Sequence, residues 1–467
     1  MTIVYSSIAS DMGKPRLAAV GHWLRRHQRA IRWAQWGIIL VYAVLLITPT
    51  LMPLPGNAAH IWNNATVFAQ FVFWGIWWPG VLISILLFGR LWCGILCPEG
   101  ALSEIASSYG RGYAIPGWIR WPGWPFAAFI MTTVYGQMVS VYQYPAPALL
   151  ILGGSTVAAI SIGYLYGRNH RVWCRYLCPV TGVFGLLSKL SPIHYKVDQA
   201  AWNRCPPALG PVTRVNCAPL VPLRTMQSAS PCHMCGRCSG FRDAIELTAR
   251  APGIEVIEIS GETANKWDSA LILVGLMGVA VGAFHWASSP WFVMVKQWLA
   301  MWLVEHNMIW PLTTHLPWWM LTNVPENGDV LNLLDGAVML LYIGLSGLVM
   351  ACALTVPLAM AVRVLGPWHW QRFHHLTQAV LPMAACGLIL GLSAQTVTLL
   401  RADAVLLPHV QEARAVALVL AGLWSMLLIW RISGRYGGGP ARVWASLVAG
   451  AAVCIGMIPW LLLFFLW

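Results

Sequence analysis

Gly89-Arg90-Leu91-Trp92-Cys93-Gly94-Ile95-Leu96-Cys97-Pro98 closes one apolar stretch, and Val172-Trp173-Cys174-Arg175-Tyr176-Leu177-Cys178-Pro179 closes another. Both read Trp-Cys-x3-Cys-Pro. Each follows a stretch that ends in Gly-Arg (Gly89-Arg90, Gly167-Arg168), and Cys93 and Cys174 stand 81 residues apart. That interval holds about two membrane spans with their loops. The first four spans are therefore expected to be a duplicated helical hairpin, a device common in membrane proteins.

The chain around these motifs is 58% hydrophobic and 10% charged over 467 residues. A soluble domain of that size cannot hide so much apolar surface. Apolar runs of spanning length lie near 33–52, 66–89, 123–142, 148–167, 268–288, 331–360, 374–400, 413–431 and 443–466. They predict an all-α integral membrane protein of about nine transmembrane helices. The first run lacks a small-residue cleavage site and is expected to stay as a helix. Lys14, Arg16, Arg25, Arg26, Arg29 and Arg32 precede it and place the N-terminus in the cytoplasm. The loops 54–65 and 143–147 contain no Lys or Arg and are expected outside. Arg90, Arg168, Arg363, Arg372, Arg431, Arg435 and Arg442 mark the inner side, with Lys296 and Arg401 an outer minority. Nine spans would leave Trp467 outside. Orientation in the membrane thus accounts for the net charge of +13 without nucleic acid.

This division gives a cytoplasmic N-terminus (1–32), the duplicated hairpins (33–179), a cytoplasmic cluster-binding insert (180–266) and a C-terminal membrane bundle (267–467). The insert is rich in Pro and basic residues and weak in periodic pattern, so a metal cluster is expected to order it. Within the bundle, the Trp-rich stretch 289–330 suits a helix lying in the outer interface.

Nine of the twelve cysteines fall between 93 and 238, at spacings of metal ligands rather than of a secreted disulfide scaffold. Cys93 and Cys97, like Cys174 and Cys178, are four apart and face one direction on a helical turn. The following proline disfavours further helix and removes a donor near the second sulfur. Two such pairs brought together by a pseudo-two-fold axis present four thiolates, suited to an iron–sulfur cluster or to zinc. Cys-x3-Cys-Pro is also the closing half of a bacterial ferredoxin run, whose last Cys serves the neighbouring cluster, so cross-ligation between two clusters stays open.

The insert adds Cys232-His233-Met234-Cys235-Gly236-Arg237-Cys238, which supplies three corners of a cubane cluster. Arg242 stands where the usual fourth Cys would be. An upstream thiol must close the site. Cys217 is preferred because its loop is shorter; Cys205, before Pro206-Pro207, is the alternative. With either, eight cysteines serve two [4Fe-4S] clusters. Structural zinc, a thiol–disulfide relay and plain structural thiols compete with this reading. Cys352, Cys386 and Cys454 lie within spans as small core hydrophobes.

Other candidates are weaker. His285, His374, His375 and His409 sit near span ends, but no pair at matching depth presents itself for haem. Glu305 and His306 are candidates for a quinone or partner site, and Asp335 heads a span, where an acid is costly and often functional. Haem and quinone therefore have no firm support. Glu99 and Glu104, just after Cys97-Pro98, are placed to tune a cluster or cap a helix turn. There is no nucleotide-binding loop, hydrolase elbow or H-E-x-x-H motif.

Over about residues 30–250 these motifs resemble the membrane polyferredoxins, which include NapH, NosR and the FixG/CcoG type. The resemblance implies cysteine-ligated four-iron clusters and electron transfer in a bacterial inner membrane, between quinol or a cytoplasmic donor and a periplasmic acceptor. The chain departs from the pattern: it has one truncated run where two full ones are common, no flavin-attachment domain before the first span, and extra spans after 268. Its layout is most similar to FtrD, the ferredoxin-like membrane component of four-part bacterial ferrous-iron uptake systems. That implies a complex with an iron permease and a periplasmic cupredoxin-like ferroxidase; a NapH-like role would imply a respiratory reductase instead. The expectation is an electron-carrier subunit rather than a stand-alone enzyme. Its rivals are a metal or thiol reductase using the Cys-x3-Cys-Pro pairs and a permease subunit with structural zinc.

Overall fold

The computed structural model describes residues 14–56, 58–204 and 215–467. Cys205 lies outside the described residues. Among them, eight helices are long and apolar enough to cross a membrane: Gln28–Leu51, Ala65–Phe88, Pro145–Tyr166, Lys266–His285, Leu333–Val364, Trp370–Ala402, Val410–Tyr436 and Gly439–Leu466. This is the pattern of a multi-pass membrane protein. Local chemistry sets several of their starts. Asn64 accepts the N–H groups of Thr66 and Val67, Asn265 those of Trp267 and Asp268, and Asn332 with Asp335 forms a capping box. Exposed Leu340, Leu341, Leu345, Leu348, Val349 and Val356 give Leu333–Val364 an apolar outer face suited to lipid.

Nine spans were expected and eight helices meet the length. The stretch near 123–142 forms Trp124–Met138, 15 residues. That is about 22 Å at 1.5 Å per residue, against roughly 30 Å of hydrocarbon. Pro125 fixes its first turn, and the left-handed Ser140 (φ 49°) follows its end. The short helix nonetheless runs beside Lys266–His285 for most of that span's length. Phe126 meets the Trp267 ring, Phe129 packs against Gly275, and Gln137 Oε1 accepts from Trp286 Nε1 at 2.9 Å.

The chain divides into two compact units. One takes in the chain up to Tyr42, Val81–Trp121 and Ser155–Ile259; the other takes in Ala43–Gly80, Pro122–Gly154 and Ser260–Trp467. Every cysteine from Cys93 to Cys238 that the structure describes belongs to the first unit. There an antiparallel pair, β1 (Ile193–Val197) and β2 (Ile245–Ala249), sets Tyr195 opposite Leu247 and Val197 opposite Ile245. Tyr195, Ile245 and Leu247 bury against Val221, Met226, Met234 and Cys238. The hairpin thus supplies the floor on which the second cysteine run rests.

In the second unit, Pro290–Glu305 is a helix begun by the Ser289 cap, with Trp291, Met294, Trp298 and Met301 exposed. Asp335, expected as a costly and functional acid, has a structural explanation. It closes the capping box on Asn332 and pairs with Lys296 Nζ at 2.5 Å.

Candidate metal centre

The two Trp-Cys-x3-Cys-Pro motifs adopt one local structure twice. Leu91–Ile95 and Val172–Tyr176 are five-residue helices with Cys93 and Cys174 at their centres. In the first, the N–H groups of Leu96 and Cys97 both reach the Trp92 carbonyl at 2.9 Å. In the second, those of Leu177 and Cys178 reach the Trp173 carbonyl at 2.9 and 3.0 Å. The turn then ends because Pro98 and Pro179 have no N–H to continue it. Cys97 caps the helix Pro98–Ser108, its sulfur accepting from Gly100 N–H at 3.4 Å. The Cys178 sulfur accepts from Val180 N–H.

The third motif is a chain of tight turns rather than a helix. Met234 (φ 55°) and Gly236 (φ 80°) take left-handed conformations between the cysteines. Gly236 also lets the helix Lys14–Arg26 approach, since a Cβ there would fall 2.4 Å from Leu24 Cβ. That helix and its continuation pin the run's carbonyls. Gln28 donates to Cys235 O at 3.0 Å and Arg25 to Ser239 O at 2.8 Å. Upstream, buried Glu255 accepts from Ser228 Oγ at 2.6 Å and from Ala229 N–H at 3.0 Å, and pairs with Arg250. Arg242, in place of a fourth Cys, turns its guanidinium over the Trp202 ring, 5.2 Å from the centroid.

The thiols gather in two sets of four. Cys97 feels Cys174 and Cys93, and Cys178 feels Cys174 and Cys97. Cys232 feels Cys235 and Cys217, and Cys238 feels Cys232, Cys235 and Cys217. Cys217 therefore neighbours the third run. Among the described residues, no three His, Cys, Asp or Glu side chains converge closely enough to hold a single metal ion. Burial is the main influence on six of these thiols. It pushes Cys174 and Cys232 up to about 12 and Cys217 up to about 11, and raises Cys97, Cys178 and Cys238 as well. Without a metal such thiols stay protonated at neutral pH, which is the opposite of what a nucleophilic relay cysteine needs.

Two buried arginines bind the repeats together: Arg90, read in the sequence as a marker of the inner side, and Arg171, unnoticed there. Arg171 lies 81 residues after Arg90, the same offset as the cysteines. Arg171 is 1% exposed; it donates to Cys93 O in the other repeat and through Nε to Glu104 Oε2 at 2.8 Å. Arg90 is 5% exposed and donates to Thr181 Oγ1 at 2.8 Å, which in turn donates to Cys174 O at 2.8 Å. Each arginine thus reaches the first cysteine of the opposite repeat. Arg90 also donates to Ser230 O, just before the third run. Both arginines face Cys174; Arg90 also faces Cys232, and Arg171 also faces Cys235.

Glu104 joins the three motifs, since Arg237 of the third run donates to its other oxygen. Burial opposes its ionisation, but Arg171 and Arg237 prevail and hold its pKa below the usual glutamate value. Glu99 accepts from Trp173 Nε1 at 3.2 Å, again across the repeats, and burial raises its pKa.

The two cysteine sets meet backbone to backbone at Gly94. A Cβ at Gly94 would lie 2.0 Å from His233 O and 2.9 Å from Cys235 N. The position related by the repeat, 81 residues on, is Arg175. The contact therefore exists on one side of the duplication.

The remaining candidates are placed elsewhere. His374 Nδ1 meets Ser269 Oγ at 2.8 Å and His375 Nδ1 meets Tyr436 OH at 2.7 Å. His285 is enclosed edge-on by Trp460 and Trp467, and His409 is exposed beside Glu412. His306 stacks on Trp302 at the exposed end of Pro290–Glu305; Glu305 is exposed too. Cys386 is half-buried, but Cys352 and Cys454 are exposed on their helices and are not core residues.

Comparison with known proteins fits this geometry. Residues 70–116 and 149–197, which carry the two repeated motifs, match the 4Fe-4S binding domain family. A protein of Escherichia coli (strain K12) named for electron transport, YccM, is 24% identical over 230 residues, 43% of this chain. The match spans 62% of that relative's length. No solved structure matches.

Proposed function

We propose that this chain, with its 4Fe-4S-type motifs and eight span-length helices, is a membrane-bound iron–sulfur electron carrier. Cys93, Cys97, Cys174 and Cys178 would hold one [4Fe-4S] cluster, and Cys217, Cys232, Cys235 and Cys238 a second. The observation that carries the reading is the gathering of eight described thiols into two adjoining sets of four. The donor chemistry fits the group. Amide N–H groups already point at Cys97, Cys178 and Cys232 sulfurs, and buried Arg90 and Arg171 supply positive charge beside them. Bound there, such clusters supply one-electron chemistry at potentials set by charge, hydrogen bonds to sulfur and exposure.

The protein's own part is to position and to bias. Arg90 and Arg171 favour the more negative, reduced state of whatever they face. The cross-repeat bonds hold the first cysteines at fixed separation, and the Gly94 contact keeps the two sets in touch.

The sidedness we adopt places the N-terminus and both cysteine sets in the cytoplasm of a bacterial inner membrane. Ala65–Phe88 and Pro145–Tyr166 each lead into a Cys-x3-Cys-Pro motif, and those motifs are neighbours, so the chain must return between them. Trp124–Met138 is then a short ninth crossing, supported by its contacts along Lys266–His285. The partners we favour are an iron permease and a periplasmic cupredoxin-like ferroxidase, with a respiratory reductase as the alternative. The test is anaerobic purification with metal and acid-labile sulfide analysis. The expected result is brown protein with about eight irons and eight sulfides per chain, as two four-iron clusters require. Colourless protein containing only zinc would reject the proposal.

A further inference from the structure

His233 stands where the two cysteine sets meet and has no hydrogen-bond partner for its ring among the described residues. It is 2% exposed, and neither Nδ1 nor Nε2 has a hydrogen-bond partner among the described residues. Its backbone carbonyl adjoins Gly94, between Cys93 and Cys97, while its chain neighbours are Cys232 and, two residues on, Cys235. The charged groups that face its ring are the guanidinium groups of Arg90, Arg171 and Arg175. Guanidinium groups are donors only and cannot accept a ring N–H. A histidine carries at least one N–H in either neutral tautomer, so a buried donor is left over. Native proteins rarely leave such a donor empty.

Cys232 and Cys235 flank His233 in the chain, and Gly94, against its carbonyl, lies between Cys93 and Cys97, so a cluster at either set would bring sulfur acceptors to this residue. Resting on the two-cluster reading above, we infer that His233 donates a ring N–H to a sulfur of one of the two clusters, and so acts as a positioning and potential-setting residue between them. Reduction adds one electron and one negative charge to the sulfur-rich body, and an N–H donor stabilises that added charge. The bond would therefore raise the potential of the cluster that receives it.

The experiment uses the full-length protein, purified anaerobically in detergent, with redox titration followed by electron paramagnetic resonance. His233→Leu should lower the potential of one of the two signals and leave the other in place. The expected size is about tenfold in the reduction equilibrium, or about 59 mV for one electron. His233→Gln, which keeps an N–H donor, should recover most of it. Unchanged potentials in His233→Leu, or equal shifts in both variants, would overturn the inference. If His233→Leu fails to assemble, the wild-type protein still decides. With ¹⁵N-histidine incorporated, spin-echo modulation should show a ring nitrogen coupled to a cluster, lost in His233→Gln; no coupled nitrogen would overturn the inference. Wild-type protein with no cluster signal at all would instead reject the underlying reading.

Discussion

Gly94→Ala tests the junction on which the site depends. Gly94 sits inside the helix Leu91–Ile95 without a left-handed φ. On local grounds alanine should therefore be preferred there, by about 1 kcal/mol. The opposing effect is contact. The new Cβ would lie 2.0 Å from His233 O, 2.9 Å from Cys235 N and 3.1 Å from Cys235 Cα. All three are backbone atoms, and close C···O contacts settle near 3.3–3.6 Å. Residues 233–235 must then withdraw by more than about 1 Å from a run pinned by Gln28, Arg25 and Arg237. Overpacking typically costs 1–3 kcal/mol; with no flexible side chain to yield, about 3 kcal/mol is the appropriate end of that range. Less the helix preference of about 1 kcal/mol, about 2 kcal/mol remains, roughly a 30-fold shift toward the unseated run. Iron and sulfide should fall toward half in the anaerobically purified variant, and Cys232, Cys235 and Cys238 should become open to alkylation. Gly37→Ala, at a position with nothing within 4 Å of a new Cβ, serves as the control. Full iron content and unchanged thiol protection in Gly94→Ala would refute the contact argument.

Four further outcomes are expected. Cys93→Ala and Cys174→Ala should each remove about one cluster's worth of iron and the double variant little more, because residues of one site are not additive; independent losses by iron analysis would separate the motifs. Cys217→Ser should abolish one paramagnetic signal or convert it to a three-iron form, with Cys205→Ser silent, and the reverse would reassign the fourth ligand. Accessibility tags at residue 58 should report from the periplasm and tags within 215–225 from the cytoplasm; the opposite result would invert the membrane orientation. Glu104 has a depressed pKa in the folded state, so its ion pairs should contribute fully above the ordinary glutamate value of about 4.3 and be lost as the pH falls through its lower folded value. In acid titrations followed by tryptophan fluorescence, Glu104→Gln should lack that acid-dependent loss; identical acid limbs would contradict it.

Much of this arrangement could be read in the chain because it repeats. The Trp-Cys-x3-Cys-Pro motifs carry their own turn chemistry, and an offset of 81 residues already aligns Arg171 with Arg90. That alignment was available; what hid it was the nearer Gly167-Arg168, which mimics Gly89-Arg90 at the span edge. The Gly94 contact was not legible. It depends on where a separate run settles, more than 130 residues away, and no local periodicity records such a meeting. Composition also misjudged lengths and depths. Residues 123–142 carry no charged side chain, but Pro125 and the turn at Ser140 leave 15 residues of helix. Asp335 appeared expensive because its ion-pair partner Lys296 belongs to a different stretch and the capping box with Asn332, three residues before it, went unread.

The Gly94–Arg175 mismatch carries a consequence for polarity. Two halves that repeat one local structure would offer two equivalent seats for a third element, and a symmetric protein would fill both or choose at random. Here one seat lacks a side chain and admits a backbone to within contact distance, whereas the related position bears an arginine. A second copy of the run could not dock there as closely. The duplication thereby carries one close seat for the third cysteine run instead of two.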